Sequence, residues 1–195
     1  PLWSRGLGDV YKRQFMRFAH EMDMDNARYP WSGMAADSYI EIYRHAIGVC
    51  RAKAPQVLSI WSPVGNGTLS RYYPGSGSVD IVGLSLFGLE PWEEITYGRG
   101  RQFAEALDEK YRLVAAYGKP VSIAEFGVCG SPQYRAQWLT DAIRRGHEQF
   151  PLLQSLIFFN DREPYRWPET GAPPEQAGCD VEHPDWRLVR RAIGH

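Results

Sequence analysis

The sequence predicts an α/β chain whose parallel strands form the C-terminal five-eighths of a (β/α)8 barrel. Three observations lead there. Apolar strands alternate along the chain with stretches of helical periodicity. The residues best suited to chemistry follow several different strands, as on the top face of a barrel. Five strands can be found in 195 residues, whereas a whole barrel typically takes about 250 residues. An open doubly wound sheet is the competing architecture. No GxGxxG follows the first strand, so dinucleotide binding lacks its fingerprint.

Residues 1–14 (PLWSRGLGDVYKRQ) lack periodicity and run into an apolar strand without a turn signal. They read as a non-native or disordered leader resembling translated adaptor sequence, which leaves 15–195 as the partial barrel domain. The first strand is expected over 15–19, followed by a loop over 21–36. A helix should cover about 37–53: Ser38 and Glu41 have capping-box spacing, Ile40, Tyr43, Ile47 and Cys50 share a face, and Pro55 ends it. The second strand is 57–61, stopped by Ser62-Pro63, and 65–78 is a loop rich in Gly, Ser and Tyr. Residues 79–87, apolar apart from Asp80 and Ser85, fit a strand covered on both faces. A helix over 101–117 turns Phe103, Leu107, Tyr111 and Val114 inward and stops at Gly118-Lys119-Pro120. Residues 121–124 form the fourth strand. Ser131-Pro132 then opens a helix striped by Trp138, Leu139, Ala142 and Ile143. The fifth strand is 153–159, ending at Asn160-Asp161. Residues 164–184 are loop, and a short final helix carries Trp186, Leu188, Val189 and Ile193.

The net charge of −1 gives no electrostatic reason to expect nucleic acid or an anionic membrane as partner. No run reaches the roughly 20 apolar residues that span a bilayer. Cys50, Cys129 and Cys179 show no CxxC spacing; a disulfide between two of them is open, and buried free thiols are the simpler expectation. Seven Trp and eleven Tyr suit either a large core or a cleft that stacks on sugar rings, and position has to decide. Trp138, Trp167 and Trp186 are expected to pack inside, and Trp61 suits core and cleft equally.

Two stretches carry the chemistry. Phe15-Met16-Arg17-Phe18-Ala19-His20-Glu21 is a short apolar strand ending in a His-Glu pair, and Val121-Ser122-Ile123-Ala124-Glu125-Phe126-Gly127 is another with a glutamate at its end. Carboxylates at the strand ends of a parallel sheet are what glycosidic bond cleavage needs. With retention, one carboxyl serves as acid and base and the other as nucleophile, about 5 Å apart across the sugar. Residues ending different barrel strands converge on one mouth, so Glu21 and Glu125 are the candidate catalytic pair. Either glutamate alone would more often be a salt-bridge partner or a first-turn carboxylate. Arg17 on an apolar strand needs an anion, from a structural bridge or from the site. His20-Glu21 does not open a zinc HExxH, because the fifth position is Met24. Asp23-Met24-Asp25-Asn26 lacks the central Gly and closing Glu of a calcium loop. No metal and no cofactor are expected.

Arg17-x-x-His20-Glu21-Met22 resembles the Arg-x-x-His-Glu-Met-Asn motif of glycoside hydrolase family 26, whose best-known members are endo-β-mannanases. Tyr29-Pro30-Trp31, Trp61-Ser62-Pro63, Ile123-Ala124-Glu125-Phe126-Gly127 and Asp185-Trp186-Arg187 resemble further segments of that family, in the same order. The resemblance implies a (β/α)8 barrel of which this chain holds about strands 4–8. It also implies a β-linked polysaccharide or oligosaccharide as partner, mannan or a mixed glucan, and a secreted or periplasmic setting. Carried over, Glu21 is the acid/base and Glu125 the nucleophile. His20 lines the adjoining subsite, Arg17 holds the nucleophile's carboxylate, Trp31 and Trp61 stack on sugar or wall the cleft, and Asn160 contacts sugar hydroxyls. The departures bear on specificity. Asp23 replaces Asn, Arg28 stands where a stacking Trp is common, Phe87 has no hydroxyl where a Tyr bonds the nucleophile, and Ser85 stands where Asp is common. The departures at Phe87 and Arg28 motivate an alternative, a non-catalytic carbohydrate-binding or polysaccharide-assembly protein on the same barrel.

Overall fold

A computed structural model describes residues 14–24, 28–167, 175–176 and 178–188. Five strands form one parallel sheet in chain order: β1 (Phe15–Arg17), β2 (Leu58–Trp61), β3 (Ile81–Leu89), β4 (Val121–Cys129) and β5 (Leu153–Phe158). Arg17 pairs with Ile60 between β1 and β2, and Ile60 with Ile81 between β2 and β3. Four helices intervene: α1 (Ala36–Lys53), α2 (Glu90–Tyr97), α3 (Phe103–Ala115) and α4 (Pro132–Gln149). A two-stranded antiparallel ribbon, β6 (Glu175–Gln176) and β7 (Cys179–Asp180), follows β5. The chain packs as two compact units, 1–85 with 110–122 and 86–109 with 123–195.

In the first unit, α1 buries Tyr39, Tyr43 and Ile47, while Trp61 lies edge-on to Tyr73 and Tyr117 at 5.1 and 5.7 Å. In the second, Phe126 stacks on Trp138 at 5.1 Å, and Phe103 stands edge-on to both. Beside them Leu89, Val181 and Trp186 pack around the Cys129–Cys179 disulfide, with Phe87, Phe159 and Trp167 against them.

Several elements differ from expectation. β1 stops at Arg17, because Ala19 and Glu21 take positive φ (45° and 58°), which no strand accommodates. α1 begins at Ala36 after an N-cap, Ala35, that offers no side-chain bond. Ser38 therefore lies inside the first turn and closes no capping box. The buried stripe of α1 starts at Tyr39, with Ile40 and Cys50 only half-buried. Residues 69–72 form a 3-10 turn inside the expected loop. α2 was not expected; Pro91 in its first turn and Gly98 at its C-cap (φ 73°) bound it. β4 continues through Cys129, so Glu125 is the fifth of nine strand residues and does not follow the strand. On α4, Ser131 caps as expected, accepting the Tyr134 N–H, but Ile143 is 79% exposed. Cys129 and Cys179 are disulfide-bonded and Cys50 is free, which overturns the expectation of three thiols. Trp186 and Leu188 are not helical. Val189, Ile193 and the leader apart from Gln14 lie outside the described residues.

Candidate active site

Glu21 is held tightly in the first unit. It is 7% exposed in a left-handed backbone conformation. Its N–H donates to the Ser62 carbonyl at 2.7 Å, and its Oε1 accepts from the Ser85 hydroxyl at 2.6 Å. The residues before it are held as well. The Tyr39 hydroxyl donates to the Ala19 carbonyl at 3.2 Å, and Trp31 Nε1 to the His20 carbonyl at 2.7 Å. Burial pushes the Tyr39 phenol up, so it stays a neutral donor. The His20 ring leans on Tyr29 (4.6 Å) and faces the edge of Trp31, and Tyr29 and Trp31 are stacked at 5.1 Å. Arg17 Nε donates to Ser62 Oγ at 2.9 Å. Gly83 leaves that serine its room: a Cβ there would lie 2.9 Å from Ser62 Oγ. Arg17, His20, Glu21 and Trp31 are thus brought together. Trp61 is not part of this group. It is fully buried, and a ring without exposed surface cannot stack on a sugar, so it belongs to the core.

Asp23 fixes the next loop. Its Oδ1 accepts the Val64 N–H at 2.7 Å, and its Oδ2 those of Gly65 and Asn66 at 3.2 and 3.3 Å. Lys110 Nζ donates to the carbonyls of Val64 and Ser85, both at 2.7 Å. A pocket of about 760 Å³ opens beside Asp23, walled by Met24, Met34, Asn66, Arg71 and Tyr72.

In the second unit Glu125 is half-buried within β4. Two residues on, Gly127 lets the Phe87 ring approach: a Cβ there would lie 2.9 Å from it. Phe87 packs on Trp186 and Trp167 at 4.8 and 5.3 Å, so the ring that lacks a hydroxyl serves an apolar cluster. Asn160 Oδ1 accepts the Leu188 N–H at 2.9 Å and pins that segment. Glu93, fully buried on α2, accepts from the Arg101 N–H (2.6 Å) and the Tyr134 hydroxyl (2.8 Å); burial raises its pKa.

The sequence reading missed the parts of Ser62, Ser85 and Tyr39. The serines had a signal: each is a small polar residue in or directly after an apolar strand. Among the described residues no three His, Cys, Asp or Glu side chains group to hold a metal ion, and no helix is long and apolar enough to cross a membrane.

The parallel sheet with intervening helices places the chain in the (β/α)8-barrel class, of which it spans a part. Solved structures similar to it include a family-26 β-mannanase from Bacteroides ovatus (TM-score 0.58, 20% identity, covering 91% of this chain and 46% of that one). Another is a modular endo-β-1,4-mannanase from Cellulomonas fimi (TM-score 0.56, 21% identity, covering 75% and 35%). In sequence it is 25% identical over 177 residues to Endoglucanase H of Acetivibrio thermocellus, covering 83% of this chain and 19% of that protein. It is 26% identical over 138 residues to a β-1,3-xylanase of a Vibrio species, covering 66% and 25%. No family model matches. The chain spans 19–25% of the length of these curated relatives.

Proposed function

We propose that this chain carries the catalytic carboxylates of a retaining β-glycoside hydrolase acting on a β-linked polysaccharide, mannan or a mixed glucan. The observation that carries the reading is Glu21: an acid buried in the loop that follows β1, in a backbone conformation that strains a non-glycine residue, and bonded at both its N–H and its carboxylate. The likeness to mannanases, an endoglucanase and a xylanase supports a glycosidase of this substrate class. Glu125 attacks the anomeric carbon while Glu21 protonates the departing glycosidic oxygen, leaving a glycosyl ester on Glu125. Glu21, now a carboxylate, takes a proton from water as that water displaces Glu125 from the sugar. His20, Trp31 and Asn160 contact the sugar chain, and Arg17 supplies a fixed positive charge. No cofactor takes part.

The test is covalent trapping on the full-length protein with activated fluoro-deoxy mannosides and glucosides, followed by peptide mass spectrometry. An adduct on Glu125, together with loss of turnover in Glu21→Ala and Glu125→Ala, is expected. The sugar that reacts narrows the substrate. A folded protein that binds mannan or glucan yet forms no adduct would favour the binding or assembly reading. Phe87, whose ring packs into an apolar cluster, is the residue that keeps that reading in play.

A further inference from the structure

The Ser85 hydroxyl donates to the Glu21 carboxylate at 2.6 Å, and both residues are more than nine-tenths buried. It sits in the middle of β3, in an otherwise apolar run, where a buried hydroxyl without a partner would be costly. Its own backbone is fixed, since Lys110 Nζ donates to the Ser85 carbonyl at 2.7 Å and ties it to Val64. Charged or titratable groups close by in this unit include Arg17 and His20 on the same segment, Asp23 two residues on, Tyr39 bonded to the Ala19 carbonyl, and Lys110 behind Ser85.

We propose that Ser85 is the positioning residue of Glu21, holding its carboxyl in one orientation through both protonation states of a reaction cycle. The inference rests on the assignment of Glu21 as acid/base. The reason is the chemistry of a hydroxyl. It donates to a carboxylate and accepts from a carboxylic acid, and it carries no charge in either role. An ammonium or a second carboxylate there would favour one protonation state of Glu21 over the other. A serine keeps the geometry while the proton leaves for the glycosidic oxygen and returns from water. Donation to the ionised form is the stronger of the two bonds.

Two measurements on the full-length protein test this, with Ser85→Ala and the hydroxyl-keeping Ser85→Thr. The first is a carbon-13 NMR titration of the Glu21 carboxyl. It should move to higher pH in Ser85→Ala and stay near the wild-type value in Ser85→Thr. The second is kcat/KM on phenyl and 2,4-dinitrophenyl β-mannobiosides and β-cellobiosides. The dinitrophenolate leaves without a proton, so Ser85→Ala should lose roughly ten- to hundredfold on the phenyl glycosides and little on the dinitrophenyl ones. An unchanged titration, or equal losses on both leaving groups, overturns the proposal. Glu21→Ala separates the two assignments. If Glu21→Ala discriminates between the leaving groups and Ser85→Ala does not, only the role of Ser85 fails. If Glu21→Ala hydrolyses phenyl glycosides at the wild-type rate, the acid/base assignment itself fails, and the titration still decides whether Ser85 governs the Glu21 proton. Should Ser85→Ala not fold, a Ser85→Thr enzyme with a strongly displaced titration would overturn the proposal by itself.

Discussion

Glu21 and Ala19 hold left-handed backbone conformations that typically cost about 1–3 kcal/mol each in a non-glycine residue. Three bonds over-determine them: from Glu21 N–H to Ser62, from Tyr39 to the Ala19 carbonyl and from Trp31 to the His20 carbonyl. Asp23 acts two residues further on. Both its oxygens accept from backbone N–H groups, at Val64 and at Gly65 with Asn66. Asparagine has nearly the same shape but presents an NH2 where the second oxygen was, donor against donor. Asp23→Asn should therefore lower stability by about 1–3 kcal/mol, the range for leaving a buried polar group unpaired. Urea denaturation would read it as a lower midpoint at unchanged slope. An unchanged midpoint would mean that the loop over 64–66 does not depend on the carboxylate.

At the scale of elements, Asp80 joins α1 to the sheet. Its Oδ2 accepts from the Ser59 N–H on β2 at 2.8 Å, from Ser59 Oγ at 3.0 Å and from Arg51 on α1 at 2.8 Å. Burial opposes its charge, but the bonds from Ser59 and Arg51 outweigh that and hold its pKa below the usual carboxylate range. A carboxylate with a depressed folded-state pKa stabilises the fold above its unfolded value, about 3.9, and that contribution is lost as pH falls through the folded value. Asp80→Asn should accordingly lower stability at pH 7 and flatten the loss of stability on acidification. Equal acid sensitivity in mutant and wild type would sink the assignment. These elements also show what could be read in advance. The α3 stripe was legible because Phe103, Leu107, Tyr111 and Val114 follow helical spacing, and all four are buried. The α4 cap was legible because Ser131 and Pro132 occupy positions that only a helix start explains. The α1 start misled because the helix is capped at Ala35, three residues before the Ser38 that the capping pattern marks, and its buried stripe begins at Tyr39. α2 was passed over although Pro91 and Gly98 punctuate it. Within the candidate site Glu21 and its neighbours could be read from a motif. The polarity of Ser62 and Ser85 against their apolar strands could be seen, but not what they and Tyr39 bond, because their bonds to the Glu21 segment link residues that are 20 or more positions apart.

At the scale of the whole chain, the fold class could be inferred from alternation, and the cross-link could not. Three cysteines allow three pairings, and only the fold brings Cys129 at the end of β4 to Cys179 in β7. The bridge spans 50 residues and lies among Leu89, Val181 and Trp186. Residues 159–167, which it encloses after β5, form no helix or strand, so they depend on the cross-link more than a helix would. In the chain-entropy account, opening a loop of that length frees about 4 kcal/mol of denatured-state entropy. At roughly 2–4 °C per kcal/mol for a protein of this size, a Cys129→Ala, Cys179→Ala double variant should melt roughly 8–16 °C lower. The wild-type protein in excess dithiothreitol should melt with it. Alkylation under denaturing, non-reducing conditions should modify Cys50 alone. Modification of all three cysteines, or melting unaffected by dithiothreitol, would show that the apolar cluster holds the β6–β7 ribbon without the bridge.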